Sequence, residues 1–226
     1  MKKLALVALA SCTGSIDPPW QLAHERIIAV RATPPHIPAA ATSTIDVLLG
    51  HIGSGVEVVP PEATSTVISP TGLTTNLTGA TFTAPGETQL DQIRSDQGLG
   101  PSDPVPIEVQ VEANGFEALK TIYVGDSSDN PPLDGLLVNN VAPPTETNAL
   151  ITVPANVDVP LFVEADDDVD NVNWLTSCGT MNDYNIHDAF LHVNPSDSQT
   201  GQLAVVLRDE SAGVSWQYWS IATAAQ

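Results

Sequence analysis

The stretch "PIEVQVEANGFEALKTIYVG", beginning at Pro106, constrains the fold more than any other. Ile107, Val109 and Val111 alternate with Glu108, Gln110 and Glu112. That period of two puts apolar side chains on one face and polar ones on the other, as in a half-buried antiparallel strand. Asn114-Gly115 supplies the positive φ angles of a tight hairpin turn, so the chain returns through "FEALKTIYV". About 100 residues later "GQLAVVLRDESAGVSWQYWSI" repeats the form, with Ser211-Ala212-Gly213 in the turn.

Other segments echo at the same spacing. "RIIAVRATPP" from Arg26 and "GLLVNNVAPP" from Gly135 are both apolar runs stopped by a proline pair. "GATFTAPGE" is answered by "DAFLHVNPSDSQTG". Only "ETQLDQIRSDQG" looks helical, with Leu90 and Ile93 three apart, Glu87 at its start and Gly98 at its stop. It reads either as one short helix or as a loop between strands. The expected fold class is all-β: two tandem antiparallel β-sandwiches, at 24–125 and 133–226, joined by a polar, proline-containing linker at 126–132.

The opening "MKKLALVALASC" belongs to neither sandwich. Leu4 to Ala10 gives seven apolar residues, against the roughly 20 needed to span a bilayer. Lys2-Lys3 ahead of that run fits a secretory signal at 1–11. Leu9-Ala10-Ser11-Cys12 resembles the lipobox of bacterial lipoproteins. That resemblance implies a diacylglycerol thioether on Cys12, cleavage before it, and, with Thr13 rather than Asp next, an outer-membrane location. Residues 12–23, with Gly14, Ser15 and Pro18-Pro19, are expected to be a tether.

A second resemblance rests on "NWLTSCGTM" and "FLHVNPSDSQTGQLAVVLRDESAGVSWQYWSI". Trp174, Gly179, Pro195, Gly201, Val205, Asp209 and Gly213 stand where bacterial Ig-like or PKD-like cell-surface domains carry such residues. The match covers about 171–222. It implies Ig-like sandwiches, which do not by themselves fix a function; the expected role is structural or adhesive.

Charge excludes some partners. Twenty-seven acidic residues face seven basic ones, and without Lys2 and Lys3 the net charge of −20 deepens by two. Such a surface repels nucleic acid and anionic headgroups, and it suits cations, basic partners or simple solubility. The densest acidic cluster holds Asp166, Asp167, Asp168 and Asp170. It reads either as a solvated turn or as oxygen ligands of a structural Ca²⁺, and no other cofactor is expected.

Trp216, Tyr218 and Trp219 in the last strand are the candidate ligand contacts. Trp216 and Tyr218 share one face and Trp219 takes the other. They would serve either a carbohydrate site or core and interdomain packing. No catalytic set assembles. Gly125-Asp126-Ser127 resembles the nucleophile block of GDS-type esterases, but the Asp-x-x-His partner is missing: Asp183 and His187 are four apart. The expected partners are the membrane, through the Cys12 lipid, and a protein or glycan of the envelope.

Overall fold

The computed structural model describes residues 18–53, 55–61, 66–70, 73, 77–165 and 170–224. Cys12 and the acidic residues Asp166, Asp167 and Asp168 lie outside them.

In chain order the first half runs β1 (Arg26–Thr33), β2 (His36–Ile37), β3 (Thr42–His51), β4 (Gly55–Val59), β5 (Thr66–Ser69), β6 (Leu77–Thr78), β7 (Thr81–Thr83), α1 (Glu87–Gln97), β8 (Val105–Ala113) and β9 (Phe116–Val124). The second half runs β10 (Leu137–Val138), β11 (Leu150–Val153), β12 (Asp158–Phe162), β13 (Asn171–Thr176), β14 (Thr180–Asn182), β15 (Asp188–His192), β16 (Thr200–Arg208) and β17 (Val214–Thr223). The expected all-β class holds.

Each half forms two sheets. The first pairs β1-β3-β7-β6, with β4 added beside β3, and stacks it on β2-β9-β8-β5. The second stacks β10-β12-β15-β14 on β11-β17-β16-β13. Lettered A to G, both halves read A-B-E-D over A′-G-F-C, the strand order of an immunoglobulin-type sandwich. The A′ strands β2 and β11 pair parallel to β9 and β17, and almost everything else is antiparallel. The proline pairs mark the switch between sheets. Pro34-Pro35 stands between β1 and β2, and Pro143-Pro144 between β10 and β11. Proline has no N–H to donate, so the ladder of the first sheet ends there and the chain crosses to the second.

The two long hairpins form as their patterns require. β8 pairs with β9 from Val105↔Val124 to Ala113↔Phe116, and Asn114 and Gly115 turn with φ of 50° and 75°. β16 pairs with β17 from Thr200↔Ala222 to Arg208↔Val214. Segment 87–97 is a helix. Leu90 and Ile93 are buried in the first core, and Gly98 closes the helix in the left-handed region. Arg94 pins it, donating from Nε to Asp103 O at 2.9 Å while Nη1 meets Asp91 at 3.0 Å.

The cores follow from strand alternation. In the first, Ile107, Val109 and Val111 meet Ile45, Val47 and Phe82. In the second, Trp174 and Trp219, both fully buried, pack with Val159, Leu191, Val205 and Leu207. The Trp219 indole N–H donates to Pro144 O at 2.8 Å, tying the last strand to the crossing between sheets.

The expected tether is not free from Pro18 onward. Trp20 packs on the second core and Leu22 is fully buried. The Leu22 N–H donates to Thr176 O at 2.9 Å, and the Thr176 N–H donates to Trp20 O at 2.9 Å, so this stretch adds itself beside β13. An apolar residue every second position (Trp20, Leu22) was the signal; the Pro-Pro ahead of it suggested a spacer instead.

Removing a fully buried indole leaves a large cavity. Trp174→Ala is expected to cost about 3–5 kcal/mol by denaturant titration, whereas Leu119→Ala, at a mostly exposed position, is expected to stay within about 0.5 kcal/mol.

Candidate functional site at the junction of the sandwiches

The A-B-E-D sheet of the first sandwich lies against the A′-G-F-C sheet of the second. Ala29, Leu48 and Val56 from one side share a buried apolar cluster with Leu175, Ala204, Val206, Val214, Trp216 and Tyr218 from the other, and with Leu22 of the stretch docked beside β13. Strands in these two sheets are therefore covered on both faces. On β16, Leu203, Val205 and Leu207 face the second core while Ala204 and Val206 face the junction. A strand buried on both sides reads as a continuous apolar run, and "LAVVL" is one.

Trp216 and Tyr218 sit in this layer, 7% and 9% exposed, and Trp219 is in the second core. The division of the three between two faces is as expected, but neither face is open. The reading of these aromatics as a carbohydrate platform is corrected here, because no ring face is left for a sugar. Burial, with Glu57 nearby, pushes the Tyr218 hydroxyl above its ordinary pKa. The neighbour that covers β17 is the first sandwich, and nothing within the β17 sequence itself announces it.

Cations frame the layer. Beyond Lys3 the chain has five basic residues, and four of them meet here. The Arg31 guanidinium lies 4.0 Å from the Trp216 ring centroid and pairs with Asp46 at 3.1 Å. A part-buried cation–π contact of this kind contributes about 0.5–2 kcal/mol. Lys120 on β9 crosses to the β16–β17 turn, where its Nζ donates to Ala212 O. Arg208 on β16 reaches back: Nη2 donates to Ile28 O at 2.9 Å and Nη1 to Asn173 Oδ1 at 2.8 Å. Arg26 donates to Pro19 O and Gln21 O, both at 3.0 Å, clasping the docked N-terminal stretch. Burial lowers the pKa of Arg26 and of Arg208.

The connecting segment is fastened as well. His36 lies between the Asp126 carboxylate, 2.9 Å from Nδ1, and Ser211 O, 2.8 Å from Nε2, and it stacks on Tyr123. Asn130 donates to Ala32 O on one side and accepts from the Val214 N–H on the other, at 2.9 and 2.8 Å. On the far flank the Val56 N–H donates to Gln202 Oε1 at 2.5 Å. Gly55 beside it has φ of 90°, and a Cβ there would overlap the Gln202 amide. Asp126 is thus held by His36 at the junction.

The remaining sequence candidates do not converge. His187 meets Asp188 at 2.9 Å and His192 meets Asp158 at 2.7 Å, each histidine with its own carboxylate. Cys178 is a buried thiol whose pKa burial raises. Of the expected calcium ligands only Asp170 is described, and among the described residues no group of three His, Cys, Asp or Glu side chains is placed to hold a metal.

No protein-family model and no curated protein matches the chain. Among solved structures, a nucleoside hydrolase-related hypothetical protein from Saccharophagus degradans aligns at 16% identity and TM-score 0.32, over 42% of this chain and 26% of its own. This chain thus spans about a quarter of that protein. The fibronectin(III)-like modules of Clostridium thermocellum CbhA align at 11% and TM-score 0.28, over 86% of this chain and 94% of theirs. The N-terminal Ig1-2 module of the Drosophila receptor protein tyrosine phosphatase DLAR aligns at 10% and 0.29, over 87% and 98%. Likeness at these scores carries no inference about this chain; the sandwich assignment rests on its own strand order.

Lys120 is almost wholly buried, and desolvation lowers its pKa from 10.5 to about 8, with Asp209 opposing the shift and Arg208 adding to it. The unfolded chain therefore binds more protons than the folded one between about pH 8 and 10.5, so this group adds stability as pH rises through that window; below it the cost of burying the charge is constant. Relative to Lys120→Met, the wild-type chain is expected to gain about 3 kcal/mol from pH 8 to 10.5 in denaturant titrations. Parallel pH profiles for the two would contradict the assignment.

Proposed function

We propose that this chain is a non-catalytic, lipid-anchored protein of the bacterial outer membrane, a structural or adhesive module. In this reading the Cys12 lipid inserts in the bilayer, and the two fastened sandwiches are presented as one body to a protein partner in the envelope. The docking of the stretch that follows the lipobox-like motif carries the reading. Six residue steps separate Cys12 from Pro18, a reach of at most about 20 Å, and from Trp20 the chain is already part of the junction. The body would thus ride close to the bilayer, as a spacer or an accessory subunit of an assembly does. A far-reaching adhesin needs a longer leash.

Energetics support the anchor's form. Acyl chains contribute about 0.8 kcal/mol per buried CH₂, and more than one chain is needed for lasting attachment, which a diacylglycerol group provides. With Lys2 and Lys3 removed in the signal, the net charge of −20 becomes −22 and does nothing to hold the protein on anionic headgroups, so the lipid would have to do so alone.

In cells fed an alkyne fatty acid, the wild-type chain is expected to take up label and to sediment with the membranes, and Cys12→Ser to be unlabelled and released. A wild-type chain that is soluble and unlabelled would contradict the anchor.

A further inference from the structure

A cleft of about 330 Å³ opens on one flank of the junction, between β1 and the β13–β16 edge. Arg26, Arg208, Asn173, Tyr184, Ile28 and Leu175 line it. Its volume is at the lower end of ligand pockets. Its lining runs against the composition. Acidic residues outnumber basic ones by 27 to 7 in the chain, yet two guanidiniums and no carboxylate line this cleft among the described residues.

The hydrogen bonds show why these two arginines differ from the others. Arg31 pairs with Asp46, and Arg94 with Glu87 and Asp91. Among the described residues Arg26 and Arg208 bond only neutral groups: the carbonyls of Pro19, Gln21 and Ile28, and the Asn173 amide. Those bonds fix the guanidinium planes without neutralising them. Nε and Nη1 of Arg26, and Nε of Arg208, make no hydrogen bond among the described residues. A half-buried guanidinium held by carbonyls, with N–H groups to spare, is preorganised for an oxyanion, because two parallel N–H donors match two acceptor oxygens. Ile28 and Leu175 add an apolar wall and Tyr184 an aromatic one.

The geometry points to an oxyanion-binding cleft in which Arg26 and Arg208 take the carboxylate or phosphate of a small organic anion and the apolar wall takes its body. This goes beyond the envelope role and does not depend on the lipid anchor.

The test is a titration of the ¹⁵N-labelled chain at constant ionic strength with succinate, galacturonate and inorganic phosphate, and with galactose as the uncharged control, read at the arginine Nε–Hε resonances. Arg26 and Arg208 are expected to shift saturably with the organic anions, while Arg94, whose guanidinium is occupied by Asp103, Asp91 and Glu87, stays still. Arg26→Met is expected to weaken binding at least about tenfold, and Arg26→Lys to weaken it less. If Arg26→Met does not fold, the wild-type resonances still decide. No saturable shift up to about 20 mM of any anion, a shift shared equally by Arg94, or the same shift with galactose would overturn the site. Inorganic phosphate binding as tightly as every organic anion would overturn the role of the apolar wall.

Discussion

Leu48 and Val56 on one sandwich and Ala204, Val206 and Trp216 on the other share one dehydrated layer, and the rest of the molecule is arranged around it. Burying a large apolar side chain contributes about 1.5–3 kcal/mol, against about 1 kcal/mol net for an ordinary hydrogen bond. The layer, with ten buried residues, is therefore the dominant attraction between the halves. The polar contacts at its rim select the angle at which the halves meet. Arg208 reaching Ile28 O and Asn130 bridging Ala32 O to the Val214 N–H each have one geometry in which they close. The result is four stacked sheets instead of two sandwiches strung on a linker.

Electrostatics points the same way. A chain with so few cations could have spread them over its surface to offset its acids. Arg26, Arg31, Lys120 and Arg208 are instead gathered where the halves meet, and Arg94 holds the helix. The outer surface is left acidic, and among the described residues four of the five Lys and Arg side chains lie along the inner seam. That placement makes the seam both a fastening and the setting of the proposed anion cleft.

Much of the fold was legible in the sequence. Alternation in "IEVQVEA" and Asn114-Gly115 locate a hairpin that forms residue for residue, and the repeated proline pairs mark strand ends, which in the structure are followed by the crossings between sheets. Two apolar residues three apart make only a weak stripe, so the pattern at 87–97 fits a short helix and a loop alike. Interdomain packing is one of the two readings of Trp216 and Tyr218, but the residues they meet across the junction are not legible, because packing between distant segments leaves no periodicity of its own. The junction's one local trace was the unbroken "LAVVL" of β16. A half-exposed strand would alternate there, and β8 does. For the same reason Trp216 and Tyr218, although placed on one face as expected, were open to reading as a surface platform until their cover was known.

Small-angle X-ray scattering from the purified chain tests the shared layer most directly. A single fastened body of this length predicts a radius of gyration of about 17–18 Å and a distance distribution with one maximum. A radius well above about 22 Å with two maxima, the profile of two sandwiches moving on a linker, would contradict it.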